Sequence, residues 1–307
     1  MNNTYAIGID VGGSSLKCGI INSAGEAVYV FVQSLDAADT EQTVIASIRR
    51  AIGQCSSAVD DGNIVGVGIG FPGIVEDNVI IGGADNLPGF ENISLGALLH
   101  EQTGYNIIID NDANMMGFGE LAYGAARGCK DVVFLTVGTG IGGALVVNKK
   151  LYSGYRNRGS ELGHIIIQHK GKCCSCGSRG CFEAYASVTA LVNDYKTLSN
   201  DHTDEIDGKI IIDRYLQHQP AAVTAMQQHF EYMAAGIASL VNIFSPQKVV
   251  IGGGISESGD FYIGEIAARV KQLAMPVTMQ HTMLAAAALG NKAGLLGSVA
   301  RVFNKFS

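Results

Sequence analysis

The chain has 307 residues, of which 47% are hydrophobic and 16% charged, a composition that supports a large core and excludes a disordered chain. Its net charge of −7 excludes the broad basic surface that nucleic acid requires, so an anionic ligand has to be met by local donors such as backbone N–H groups. The longest apolar run, around "YMAAGIASLVNIF", is interrupted by Gly, Ser and Asn and is too short to span a bilayer.

The opening "MNNTYAIGID" runs directly into a strand pattern, without the pattern of a signal peptide. "YAIGID", "LKCGIIN" and "GEAVYVFVQS" read as three strands, the first two joined by the turn "VGGSS" as an antiparallel hairpin. "EQTVIASIRRAIGQC" carries helical spacing at Val44, Ile45, Ile48 and Ile52. "IVGVGIG" is a buried strand, "ISLGALLHEQTG" a helix closed by Gly104, "YNIIIDN" a strand and "DANMMGFGELAYG" the helix after it. The pattern then restarts: "DVVFLTV", "GTGIGGALVVN" and "KLYSG" predict strand, glycine turn, strand, strand. A helix is expected from about Pro220 to Phe244. "KVVIGGG" predicts a strand, and "DFYIGEIAARVKQLA" and "AGLLGSVARVFNKF" two helices. The halves begin alike, with "IGIDVGGSSLKCGII" and "FLTVGTGIGGALVV", which is duplication on the scale of a domain.

Two stretches match G-x-G-x-x-G, "GIGFPG" from Gly68 and "GTGIGG" from Gly138. A dinucleotide site needs a helix directly after the glycines, whereas "IVEDNVII" and "ALVVN" read as strands, so that reading is rejected. No P-loop pattern occurs either. What remains are strand–glycine–strand turns, which serve either as plain tight turns or as nests of backbone N–H groups for an anion. Asp10 ends a strand just before glycines, where a carboxylate can hold Mg²⁺ through water. Lys17 points either to a phosphate or, by strand alternation, to solvent.

"GHIIIQHKGKCCSCGSRGCFEAYAS", from Gly163 to Ser187, packs four of the seven cysteines into nine residues. The odd total and the clustering argue against a disulfide framework and favour a reducing, cytoplasmic compartment. A C-x-x-C redox pair lacks its βαβ context, and the stretch is too polar for cysteines that merely pack. A structural zinc, which wants four N/S donors, fits best.

With these residues in view, the chain resembles the ROK family of sugar kinases, within the sugar kinase and actin-like ATPase superfamily. "DVGGSSLKCG" is similar to its first phosphate motif, "LTVGTGIGGALVVNKKLYSG" to the second and "DNDANMMGFGE" to the catalytic-aspartate motif. "SELGH" and "CSCGSRGCFEAYAS" resemble the sugar and zinc motifs, and "VVIGGGIS" the adenosine motif. The resemblance runs nearly end to end. It implies an α/β fold of two actin-like (ribonuclease H-like) domains, with mixed sheets flanked by helices and a cleft between them. The smaller would cover residues 1–116 together with the closing helix 291–307, and the larger, with the zinc loop, residues 117–290.

The resemblance further implies ATP-dependent phosphorylation of a hexose or N-acetylhexosamine. Glucose at its 6-hydroxyl is the first expectation, with Asp112 as general base. Sugar contacts would come from Gly73, Asn86, Asn111, Asp112, Glu161, His164 and Glu183. ATP and Mg²⁺ would be met by Asp10, Gly12, Gly13, Ser14, Lys17, Gly138, Thr139, Gly140, Gly252, Gly253 and Gly254. The family pattern selects His164, Cys174, Cys176 and Cys181 as zinc ligands, with Cys173 and His169 as spare donors. Partners would be the sugar and ATP, with neither nucleic acid nor membrane, and a homodimer is compatible with the resemblance. Rival readings are a ROK-type sugar-binding regulator, for whose N-terminal helix-turn-helix the chain leaves no room, and an actin-like ATPase without a sugar. Kinases for N-acetylmannosamine, N-acetylglucosamine, fructose or allose are the remaining alternatives.

Overall fold

The computed structural model describes residues 4–36, 39–84, 87–201, 203 and 205–306. The chain divides into two compact units. The first comprises Met1–Gly128, Ser153–Gly159 and Asn291–Ser307; the second comprises Cys129–Tyr152 and Ser160–Gly290.

The first unit opens with β1 (Tyr5–Val11), β2 (Ser15–Asn22) and β3 (Ala27–Ser34), an antiparallel meander. Helix α1 (Glu41–Ser56) is capped by Thr40, whose side chain accepts the Thr43 N–H, and it buries Val44, Ile45, Ile48 and Ile52 as its spacing requires. β4 (Ile64–Phe71) pairs parallel with β1, and β5 (Ile74–Glu76) and β6 (Val79–Gly82) form a small hairpin. α2 (Leu95–Thr103) stops at Gly104, whose φ of 76° is the left-handed cap glycine tolerates. β7 (Ile107–Asn111) pairs parallel with β4 and leads into α3 (Asp112–Tyr123). The sheet order is β3-β2-β1-β4-β7.

The second unit repeats this plan. β8 (Val132–Val137), β9 (Ile141–Val147) and β10 (Lys150–Leu151) form the antiparallel meander. The strand expected over "KLYSG" therefore stops at Leu151, because the chain turns at Gly154 with φ of 70° and joins the first unit. The cysteine loop is followed by α4 (Glu183–Ala186), α5 (Val188–Ser199), α6 (Gly208–Leu216) and the long α7 (Pro220–Phe244). β11 (Lys248–Gly252) pairs parallel with β8; then come α8 (Asp260–Leu273), α9 (Pro276–Met279) and the short β12 (Met283–Ala286), parallel to β11. The sheet order is β10-β9-β8-β11-β12. Each unit has its own apolar core, around Ile7, Ile9, Ile48 and Phe71 in the first and around Val133, Phe182, Phe230 and Ile251 in the second.

The closing helix α10 (Ala293–Phe306) returns to the first unit, on α3 and the sheet. Glycines make the approach close enough. A Cβ on Gly68 of β4 would stand 2.1 Å from the Ser298 carbonyl oxygen, and one on Gly297 only 1.6 Å from the Met115 oxygen. The Ser298 hydroxyl donates to the Ile9 carbonyl at 3.3 Å, tying α10 to β1. Among the described residues, no helix is long and apolar enough to cross a membrane.

Candidate active site

In the first unit, Asp10 is the penultimate residue of β1, directly before the turn Gly12–Ser14. The Gly12 N–H donates to the Ser15 carbonyl at 2.9 Å and the Leu35 N–H to that of Ser14 at 2.8 Å, while Gly12, Gly13 and Ser14 stay exposed. Lys17 faces Asp10 across the β1–β2 ladder, its Nζ 3.5 Å from the carboxylate, rather than pointing away to solvent. Burial raises the Asp10 carboxyl above its ordinary range, and the Lys17 charge opposes that rise only in part. Gly294 of α10 lies against this carboxylate; a Cβ there would be 2.7 Å from its carbon.

The second acidic group stands where β7 passes into α3. Asn111 is the N-cap, its Oδ1 accepting the N–H groups of Ala113 and Asn114 at 3.0 and 3.2 Å. Its amide donates to the Gly73 carbonyl at 2.9 Å, and Gly73 has a φ of 88° in a turn where a Cβ would meet the Gly82 oxygen at 2.4 Å. Asp110, buried, accepts from the Asn111 N–H at 2.8 Å, from the Asn114 amide at 2.9 Å and from Arg301 of α10 at 3.3 Å. With both neighbours thus engaged, the Asp112 carboxylate is held locally, by the Ala113 N–H to its Oδ1 at 2.8 Å, by its own backbone N–H and by the Asn111 side chain. Burial pushes its carboxyl up to about 6; the Ala113 N–H pulls it down and the Asp10 charge pushes it further up. Asn86 lies outside the described residues.

In the second unit, the turn Gly138–Thr139–Gly140 joins β8 to β9, the Gly138 N–H closing it on the Gly140 carbonyl at 2.9 Å. Beside it β11 ends in Gly252; Gly253, with φ of 96°, sits so near the Val137 carbonyl that a Cβ would be 2.1 Å away. Gly138, Thr139 and Gly254 line a cavity of about 760 Å³. Its apolar wall includes Val188, Ile212 and Ile255, and its polar groups include Asn193, Lys209 and Asp213. These cavity residues of α5 and α6 were not anticipated from sequence. The available signals were the two caps, Ser187 accepting from the Ala190 N–H and Asp207 from the Ile210 N–H.

The cysteine loop brings together His164, Cys174, Cys176 and Cys181, whose donor atoms all lie within 4.8 Å of one another. His164 Nδ1 is 3.6 Å from Cys174 Sγ, and Cys176 Sγ is 3.7 Å from Cys181 Sγ. A tetrahedral zinc with Zn–S of about 2.3 Å and Zn–N of about 2.0 Å has S–S edges of about 3.8 Å and S–N edges of about 3.5 Å, so the donor set fits that ion. Burial pushes the Cys181 thiol up to about 12, and a cation is what makes a thiolate favourable there. The two spare donors are not in the cluster: Cys173 Sγ faces the Arg179 guanidinium at 3.3 Å. Glu161 is exposed, its carbonyl accepting the His164 N–H at 3.0 Å. Glu183 opens α4, and its carboxylate accepts the Ile141 N–H at 2.8 Å.

Two α/β units, each with a meander, parallel strands and a glycine turn at the head of its sheet, define a protein of the actin-like class. The sequence pattern of the ROK family matches residues 6–304, and the chain belongs to that family. A glucokinase from Thermotoga maritima is 33% identical over 304 residues, 95% of each chain. A xylose repressor from Bacillus spizizenii is 28% identical over 305 residues, 98% of this chain and 78% of that protein. The crystal structure of a ROK family glucokinase from Streptomyces griseus in complex with glucose and AMPPNP aligns with a TM-score of 0.82 and 30% identity, covering 98% of this chain and 99% of that one.

Proposed function

We propose that this ROK protein is an ATP-dependent sugar kinase acting on a hexose or N-acetylhexosamine, with the 6-hydroxyl of glucose as the first acceptor. One observation carries the reading: at the junction of β7 and α3, burial pushes the Asp112 carboxyl up to about 6 against the hydrogen bonds that Ala113 N–H, its own N–H and Asn111 give it. Such a group takes a proton from an alcohol as the alcohol attacks, a contribution of about 10²–10⁴-fold. The names of the Thermotoga and Streptomyces relatives support the same assignment.

In this mechanism the sugar hydroxyls are met by Gly73, Asn86 and Asn111, by Glu161 and by the Nε2 of His164, with Oε1 of Glu183 as a further acceptor. The 6-hydroxyl donates to Asp112, its oxygen attacks the terminal phosphorus of ATP, and ADP leaves. The exposed backbone of Gly12, Gly13 and Ser14, and that of Gly138, Thr139 and Gly140, binds phosphate oxygens. The cavity of the second unit, lined by Gly254 at the end of the run Gly252–Gly254, takes the adenosine. Asp10 would hold Mg²⁺ through water, and that ion supplies neutralisation of the charge on the phosphates. A zinc held by His164, Cys174, Cys176 and Cys181 has no open position and would supply order to the loop rather than chemistry.

The test is a coupled assay of ADP release over a panel of hexoses and N-acetylhexosamines. Sugar-dependent release is expected, and Asp112→Ala should abolish it while calorimetry still detects sugar binding. Sugar binding without ADP release would favour the regulator reading, which the xylose repressor match keeps in view. Turnover indifferent to sugar would favour a plain ATPase.

A further inference from the structure

The cysteine loop runs directly into the segment that frames the second glycine turn. Glu183 follows Cys181 by two residues, and its Oε2 accepts the Ile141 N–H at 2.8 Å. A Cβ on Gly140 would stand 2.3 Å from that same oxygen, so the carboxylate rests against the turn itself. The next contacts come from the residues just downstream. The Val188 N–H donates to the Gly138 carbonyl at 2.8 Å, and the Thr189 hydroxyl to the Thr139 carbonyl at 2.8 Å. The other oxygen of Glu183 faces the cysteine loop, 3.4 Å from Ser175 Oγ and 3.9 Å from Cys174 Sγ. Cys174 is one of the four clustered donors.

We infer that Glu183 is a positioning residue for the turn Gly138–Ile141, and that through it the metal loop sets the affinity for the phosphates of the donor nucleotide. The inference rests on the reading of that turn as a phosphate site. Its physical basis is a division of labour among amides. Gly138 N–H is spent within the turn and Ile141 N–H on Glu183, so among the described residues the Thr139 and Gly140 N–H groups are the ones left to face a phosphate. Their direction depends on the Ile141 amide staying fixed. The carboxylate serves here as an acceptor; its negative charge so near a phosphate is a cost, not a gain. An uncharged acceptor of the same shape therefore suffices.

The experiment measures ADP and adenosine binding by calorimetry on the full chain, loaded with Co²⁺ so that thiolate-to-cobalt absorption reports the cysteine loop. Glu183→Ala, which leaves the Ile141 N–H without its acceptor, should weaken ADP about tenfold or more and leave adenosine within about twofold. Glu183→Gln, which keeps the acceptor, should bind ADP within about threefold of the parent. Stripping the metal with a chelator should lower ADP affinity as Glu183→Ala does. Parent-like ADP binding by Glu183→Ala with an intact cobalt spectrum overturns the inference, as does a Glu183→Gln protein as weak as the alanine variant. Should Glu183→Ala fail to fold, metal removal from the parent protein decides: weakened ADP with unchanged adenosine supports the inference, and unchanged ADP overturns it. A parent protein that binds no ADP at all removes the kinase reading, and this inference with it.

Discussion

Asp112 shows how one side chain is freed for chemistry by its neighbours. Asn111 takes the capping role that aspartate would otherwise fill, and Asp110 is held by Arg301 and Asn114. A carboxyl pushed up to about 6 is largely ionised at pH 7.5, so turnover should be level above pH 7 and fall about tenfold per unit well below 6. A pH–rate profile without an acidic limb near 6 would remove Asp112 as the base. The same shift has a cost in stability. Because the folded carboxyl titrates higher than the unfolded one, at about 3.9, the penalty is absent below pH 4, grows between 4 and 6, and is complete above 6. Asp112→Asn should therefore raise stability at pH 7.5 by on the order of 1–3 kcal/mol, and the gain should vanish at pH 4. Denaturant titrations at the two pH values check it; an equal gain at both would mean that ionisation is not its source.

At the scale of elements, the contact of α10 with α3 and β4 is set by absent side chains. Gly297→Ala forces a methyl into the Met115 carbonyl, where backbone on both sides has little room to yield. A loss of about 3 kcal/mol or more is expected, read as a lower thermal midpoint. Gly53, exposed within α1 with nothing near its missing Cβ, is the control: Gly53→Ala should gain about 0.5–1 kcal/mol. Equal midpoints for the two variants would contradict the packing argument. Most of these elements were legible beforehand because their apolar spacing is local: Val44, Ile45, Ile48 and Ile52 mark α1 without reference to anything else. Others were not read, among them β12, α5 and α6. β12 is "MLAA", with no alternation, and becomes a strand because Lys248–Ile251 offers it a parallel edge. α5 and α6 sit between the polar cysteine loop and α7, and their cavity exists only once both pack on α7 and so face Val137 and Gly254. In the candidate site, residue types and spacing identified the turns, the acids and the thiol cluster, but not that Glu183 is bonded to the Ile141 amide 42 positions away, a fact of tertiary geometry alone.

At the scale of the molecule, one plan is used twice, and only the second copy carries the thiol loop. A structural zinc can contribute on the order of 10 kcal/mol in apparent terms, all of it to the unit that binds it. Chelation should therefore act unevenly. Amide hydrogen exchange is expected to accelerate over residues 164–189 and to stay unchanged in β1, β4 and α1. Uniform acceleration in both units would show instead that the metal supports the molecule globally.

The return of α10 to β1 has a consequence for biosynthesis. The second unit is nested within the first along the polypeptide, so its strands and helices all leave the ribosome before the helix that covers Gly8 and Gly68 is made. At roughly 5–20 residues per second, the nascent β1–β7 sheet waits about ten to forty seconds with that face bare. The half translated first is thus the half completed last, and while it waits it is the part of the chain most in need of a chaperone.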